Sequence, residues 1–463
     1  MKNFATKSGL AIATLSMLAT SALAGGFDRG GVNIDQLFDQ ERFSARATLS
    51  HVMPNRQLKN VQRANTDATA AAIQGAAALA AGVTPAQFGG LPAATQAALI
   101  TAVTPIVLAN PQFTTTASSA KVSVKGDYTN GTLGWKMNLG SGFDCLGTYT
   151  KPFGADATYG ENNAYSVSAT QFSVETDDYG LTCSYQFSAG ETSVGDSFFR
   201  IIAGGSYQEL TGFQARQRFL DLSTAGINAA GGVTNTAGIG TFTASGESTA
   251  YRLGAAYEIP SIALRAAVIY TSAYDYSLSG IQDNTGFGAV IPGTQLVPIT
   301  AQTEIPQSVE VRLQSGINER TLGFLNVKWQ EWSKLGIIPI QGGRSPVTGL
   351  PTQLSFDPLY RDGWTVSGGI GRVLTEELTG SVSLGWDRGT STITGTQTDT
   401  YTLSAGVRYQ PTENFEVSLG GLVGVLTSGT SQLSPFGDAA NQVTYSFDDD
   451  LITAVSLSAK IKY

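Results

Sequence analysis

The chain alternates apolar and polar side chains with a period of two. Val309, Val311 and Leu313 alternate with Glu310, Arg312 and Gln314, and Leu325, Val327 and Trp329 with Asn326, Lys328 and Gln330. Val382, Leu384 and Trp386 stand against Ser381, Ser383, Gly385 and Asp387; Leu403, Ala405, Val407 and Tyr409 stand against Thr402, Ser404, Gly406 and Arg408. Successive side chains of a β-strand point to opposite faces, so each segment presents one face suited to lipid and one suited to a polar lumen.

This reading gives fourteen segments: 43–53, 131–139, 142–155, 164–188, 197–210, 247–258, 261–280, 303–315, 320–333, 362–373, 378–390, 398–410, 413–427 and 449–463. The number is even, as single-chain bacterial barrels require. Short turns, such as Gly316 to Glu319 and Gln410 to Asn414, alternate with longer connections, which predicts a periplasmic and an extracellular rim. The expected fold is an all-β membrane protein, a fourteen-stranded antiparallel outer-membrane β-barrel. No cofactor is expected, and the barrel is expected as a monomer.

The N-terminus fits export. Lys2 and Lys7 precede an apolar run from Leu10 to Leu18, and Ala22-Leu23-Ala24 offers a cleavage site, so residues 1–24 read as a signal peptide. Beyond it no segment approaches the roughly 18 consecutive apolar residues of a membrane helix. The composition supports strands, with 54 Gly, 17 Tyr and 21 Phe at a mean hydropathy near zero. Losing two lysines with the signal takes the net charge from −8 to −10, which argues against a nucleic-acid partner. The rival fold is an exported β-sandwich, whose strands alternate equally well. Against it stands the chain end, where Val455, Leu457, Ala459, Ile461 and Tyr463 form an outward apolar row like the signal read by the barrel-assembly machinery.

Several stretches resemble the FadL/TodX family of transporters of long-chain fatty acids and hydrocarbons. They are YEIPSIALRAAVIYTSAYDYSLSG, TEIPQSVEV, VKWQEWSKL, GWTVSGGIGRVLTEELTGSVSLGWDRG, TYTLSAGVRYQPTENFEVSLGG and GTYTKPFGADATYG. The resemblance implies a fourteen-stranded barrel with an N-terminal hatch inside it. Here residues 25–42 alone precede the first strand and lack the family's Asn-Pro-Ala motif, so the expectation is a shortened plug, with LFDQERFS matching the residues after that motif. Pro152, Phe153 and Gly154 are candidates for the family's third-strand kink, since proline removes a ladder donor and glycine weakens a strand.

The first long connection, residues 54–130, contains ATAAAIQGAAALAAG and LPAATQAALITAVTPIVLA, which read as two helices above the barrel mouth. They form either a self-packed lid or part of an apolar capture groove, to which the connection 211–246 would add Phe213, Phe219, Leu220 and Leu222. A fatty-acid carboxylate entering the lumen needs compensation. By alternation Arg252, Arg265, Arg312, Lys328, Arg372 and Arg408 point inward, although pairing with lumenal carboxylates is the commoner use of such residues. Cys145 and Cys183 fall near the periplasmic ends of neighbouring strands in an oxidising compartment, which predicts a disulfide. A metal or redox pair lacks the Cys-x-x-Cys spacing.

Enzymatic motifs are missing. His51 is the single histidine, and neither a Gly-x-Ser-x-Gly elbow nor a Walker loop occurs, leaving only a phospholipase that pairs His51 with some serine. Asp448-Asp449-Asp450 reads as a solvated rim or as a divalent-cation bridge to lipopolysaccharide. Three functions compete: transport of long-chain fatty acids or related hydrophobic compounds, a general hydrophilic porin, and a structural or adhesive surface protein. The partners expected are the hydrophobic cargo, outer-membrane lipid with lipopolysaccharide, and the assembly machinery.

Overall fold

A computed structural model describes residues 26–30, 32–63, 66–109, 118–218, 238–286, 292–344, 351–352, 354–433 and 443–463. The expected signal peptide lies outside the described residues. The first four barrel strands are Phe43–Arg63; Ser118–Lys125 continued by Tyr128–Gly140; Phe143–Thr150 continued by Gly154–Thr158; and Gln171–Thr192. The fifth to ninth are Gly195–Arg218; Gly238–Ile259; Leu264–Thr271 with Tyr274–Asp283; Leu296–Ile305 with Ser308–Asn318; and Thr321–Gln330. The tenth to fourteenth are Gly363–Val373, Leu378–Arg388, Thr400–Thr412, Phe415–Leu426 and Asp450–Lys462. Every neighbouring pair is antiparallel, and the ring closes where Ser44 to Pro54 of the first strand pair with Lys462 to Ile452 of the last.

Alternation decides which face meets lipid. In the last strand Leu457 is 53% exposed while Ser456 between the exposed residues is 7% exposed. An apolar row left open on one face of a closed ring is stable only against hydrocarbon. Aromatic residues bound this band on both sides. Tyr149, Tyr179 and Tyr207 pair across three strands, as do Trp329 with Trp364 and Trp386 with Tyr401. At the other rim Phe143 pairs with Tyr185, and Phe199 with both Phe187 and Tyr257. Such amphipathic rings mark the two membrane interfaces.

On the extracellular side the strands run beyond the expected limits. The first extends to Arg63 and the second begins at Ser118, so the connection expected over 54–130 shrinks to 64–117. The fifth reaches Arg218 and the sixth begins at Gly238, which reduces the expected 211–246 connection to 219–237. Above the lipid no alternation is required. There the ladder is held by contacts such as Leu58, Val61 and Val122 with Val443, Tyr445 and Phe447.

The first connection contains helices Thr66–Ala80 and Ala93–Ala109, as expected, and a short one, Pro85–Phe88, started by a capping box between Thr84 and Gln87. Ala76, Ala77 and Ala78 pack against Phe88 and Val103, so these helices bury their apolar faces on one another.

Besides the second strand, interrupted at Gly126-Asp127, three barrel strands are broken. Pro306 interrupts the eighth and Ser272-Ala273 the seventh, and between strands six and seven the pairing lapses from Ser245↔Ser279 to Arg252↔Thr271. Side chains bridge the lapse on the lumen side. The Tyr274 hydroxyl donates to Asp178 (2.8 Å), the Tyr276 hydroxyl to Gln208 (2.6 Å), and the Gln208 amide to Asp178 (2.9 Å). The third break, in strand three, belongs to the site.

A plugged lumen beside a break in the wall

Residues 26–30 and 32–42 lie inside the barrel. Ile34, Leu37 and Phe38 are buried against Leu146, Ile202, Ala256, Ala267 and Ile269 of the lumen wall, with Asp35–Phe38 forming one turn of 3-10 helix. Each acidic side chain of the segment meets a lumenal cation. Asp35 is held by Arg265 (3.1 Å) and Arg312 (2.9 Å), Asp39 by Lys460 (2.7 Å), Glu41 by Lys462 (3.3 Å), and Asp28 by Lys328. Lys136 donates to the carbonyls of Asp39 (2.8 Å) and Glu41 (2.7 Å), and the Arg265 guanidinium lies 4.2 Å from the Phe38 ring centre. This periplasmic floor is a buried ionic lattice. Removing one partner leaves an uncompensated charge at a cost of about 3–5 kcal/mol.

The six cations read from the sequence therefore divide. Arg265, Arg312 and Lys328 hold the plug. Arg252 donates to Thr182 (2.8 Å) and Arg408 to Thr379 (3.3 Å), both buried at the lumen wall. Arg372 corrects the reading, because it is exposed and pairs with Thr321 and Gly380 on the outward face that carries Trp364 and Ile370.

The wall opens beside the plug tip. Between Thr150↔Asp178 and Gly154↔Glu175 the third strand takes four steps against three in the fourth, the extra residue of a β-bulge. On its other side the ladder to the second strand stops at Leu133↔Tyr149 and resumes only at Lys125↔Thr158. The plug supplies the missing partners. Arg29 N–H donates to Pro152 O (2.8 Å), Gly154 N–H donates to Phe27 O (2.7 Å), and Asp28 bridges Phe153. Gly154 is required for this approach, since a Cβ there would lie 2.6 Å from Arg29 Cζ and 2.7 Å from Val174 O. Arg29 also pairs with Asp156 and lies 4.2 Å from the Tyr128 ring centre. A cavity of about 140 Å³ reaches from Arg29, Asn130 and Thr148 inside to the outward-facing Leu133 and Tyr149.

Above the tip is a larger cavity of about 420 Å³, whose walls include Tyr128, Phe172, Phe356, Tyr360 and Tyr445 and whose floor is Phe27. The Phe27 ring is 5.9 Å from Trp332, 5.8 Å from Tyr360, 6.4 Å from Phe172 and 6.3 Å from Phe356. Trp332 is fully buried and also meets Phe153 at 6.2 Å. A Cβ on Gly26 would come within 2.5 Å of it. Burial pushes the hydroxyls of Tyr159, Tyr165 and Tyr360 above the ordinary tyrosine value, which keeps them neutral beside the cavity.

The other sequence candidates lie elsewhere. Phe213 sits in the fifth strand on its outward face while its neighbours Gln214 and Arg216 line the cavity; Phe219, Leu220 and Leu222 fall outside the described residues. His51 faces outward and is hydrogen-bonded to Thr129 (2.9 Å). Asp448 pairs with Lys59, Asp450 with Arg56 (3.1 Å), and Asp449 accepts from Ser428 N–H (2.6 Å). No cluster able to hold a metal occurs among the described residues. Cys145 and Cys183, directly opposite on strands three and four, form a disulfide. The sequence did not single out Phe27, Phe172, Phe356 or Tyr360. Only Trp332 carried a signal, within VKWQEWSKL.

The sequence signature of the family described as Outer membrane protein transport protein (OMPP1/FadL/TodX) matches residues 54–449. The chain belongs to the OMPP1/FadL/TodX family. Solved structures agree in fold. A FadL homologue of Pseudomonas aeruginosa is 15% identical with a TM-score of 0.65, over 95% of this chain and 96% of that one. The Pseudomonas putida toluene transporter TodX is 12% identical (TM-score 0.52; 95% and 98% covered), and the Ralstonia pickettii toluene transporter TbuX 13% identical (TM-score 0.54; 96% and 97% covered). No curated protein sequence matches. As an OMPP1/FadL/TodX member the chain is an outer-membrane transporter of hydrophobic compounds and not an enzyme.

Proposed function

We propose that this barrel imports long-chain fatty acids or related hydrophobic compounds, which collect in the ring-lined cavity and leave sideways through the break between strands two and three. The observation that carries this reading is that one short stretch, Phe27 to Arg29, is both the floor of the cavity and the filling of the break. A cargo that displaces Phe27 from its rings also withdraws the main-chain partners of Pro152 and Gly154. The path to the outer leaflet or periplasm then opens. The straight route is unfavourable, because it would part the Asp35 and Asp39 ion pairs around an apolar solute that offers them no replacement.

The plug, residues 26–42, acts as a short hatch in this account. The apolar helices over 66–109 bury their apolar faces on one another, which supports a lid more than a capture groove. The ring closes within one chain, supporting a monomer in contact with outer-membrane lipid and lipopolysaccharide, and the exposed last-strand row ending at Tyr463 supports delivery by the assembly machinery.

Cargo charge separates two versions. Arg29 and Arg56 of the cavity wall each already face a carboxylate, so an incoming fatty acid must exchange with Asp156 or Asp450. That favours, as a second reading, neutral aromatic compounds of the kind named for TodX and TbuX. Uptake of labelled oleate and of toluene by a strain lacking its own such transporters distinguishes them. The protein is expected to raise oleate uptake; no rise excludes the fatty acid, and a rise with toluene alone establishes the second reading.

The porin alternative makes an opposite electrical prediction. Besides the 420 Å³ cavity, two further cavities, of about 140 and 80 Å³, flank the plug. In planar bilayers the wild-type protein is expected to show no large steady conductance, and a constant porin-sized current would exclude the plugged state.

A further inference from the structure

We infer that the Cys145–Cys183 disulfide is a staple within the membrane that fixes the third strand to the fourth, so that the wall opens only on the second-strand side. The inference rests on the sideways route proposed above. The third strand is the weakest part of the wall. Its lower part is eight residues long, its upper part five, and the bulge at Lys151 to Phe153 separates them. On one side of it, strands four and five run 22 and 24 residues and pair with each other along nearly their whole length. If the plug tip leaves, the third strand keeps its ladder to strand two only from Gly140↔Phe143 to Leu133↔Tyr149 and at Lys125↔Thr158, whereas on the strand-four side both its parts stay paired along their length, so the main chain already favours that side.

The disulfide makes that asymmetry covalent. It joins directly opposed residues five positions before the last paired residue of the lower part, Thr150. It also lies on the lipid face. Lumen-facing Asp144, Leu146, Thr182 and Ser184 are buried on the other side, and the outward residues around the bond are Phe143 and Tyr185 below, Leu181 and Tyr179 above. Trp135 lies alongside, 2.3 Å from where a Cβ on Gly147 would stand. The bond therefore sits between the two aromatic belts. Thiol exchange proceeds through a charged thiolate, which hydrocarbon disfavours. A bond in that position is a permanent staple and not a redox switch.

Hydrogen exchange of the full-length protein in lipid nanodiscs, read by mass spectrometry without cargo, tests this. In the wild type, amides of residues 143–150 should exchange as slowly as those of the uninterrupted strands, and residues 154–158 faster. In C145S/C183S, residues 143–150 should exchange at least about tenfold faster, with strands eleven to thirteen unchanged. Equal exchange in the two proteins overturns the staple. Should the variant not assemble, C145A/C183A, whose apolar side chains suit the lipid face, replaces it, and the charged reductant tris(2-carboxyethyl)phosphine should leave the wild-type bond intact; rapid reduction by it contradicts a bond in hydrocarbon. Since no cargo is present, failure of the sideways route would show only in uptake, and failure of the staple only in exchange.

Discussion

Asp35→Asn is expected to turn a closed barrel into one that opens repeatedly. The Asp35 carboxylate is buried between Arg265 and Arg312. The amide keeps the shape but removes the charge, leaving Arg265 stacked on Phe38 without its acid and Arg312 with Glu310 alone (2.9 Å). Breaking such a pair costs about 3–5 kcal/mol. At about 1.4 kcal/mol per tenfold, this raises the undocked population of the plug by roughly 100- to 4,000-fold. The barrel itself should survive, since its ladders do not pass through Asp35. Single-channel recording should show frequent transient openings with the melting temperature little changed. A variant as silent as the wild type would mean that the ion pairs do not hold the plug.

The second large effect concerns the tip. Trp332→Ala removes a fully buried indole that meets Phe27, Phe153 and Tyr360 edge-on. Large-to-small changes of this kind cost about 3–5 kcal/mol. The loss falls on the one cluster that positions Phe27 and the kink together. Cargo uptake should fall by at least about tenfold, because a floor that no longer holds its place cannot couple cavity filling to the wall. Trp332→Phe, which keeps a ring in the pocket, should recover part of the rate. Equal uptake by Trp332→Ala and wild type would remove Trp332 from the mechanism.

These residues also show what the sequence could convey. Within the lipid band every strand must hide polar groups and expose apolar ones, so period-two alternation reveals strands such as Leu378–Arg388 and Thr400–Thr412 within a residue or two. Above the band that demand disappears. The extensions to Arg63 and Arg218 carry no lipid-facing row and read as loops. Arg372 was expected inward although it shares the parity of Trp364, Val366 and Ile370, whose apolar row marks the outward face. The inward direction of Arg265 and Arg312 was legible, but their partner was not, because Asp35 lies 230 residues away from Arg265. Pro152 and Gly154 announced a break in strand three. That Phe27 to Arg29 would fill it depends on a closed ring that brings chain-distant segments together, which no local pattern encodes.

Deleting Pro152 removes the extra residue of the bulge, so that Thr150 to Gly154 would match Asp178 to Glu175 step for step and the third strand could pair along its whole length. The decisive measurement is cargo uptake by this variant in cells, beside the wild type and an empty vector, with correct barrel assembly checked by heat-modifiable migration. Uptake at the empty-vector level with a normally assembled barrel is the result predicted for exit through the wall. Uptake at the wild-type rate would contradict it and return the route to the periplasmic floor.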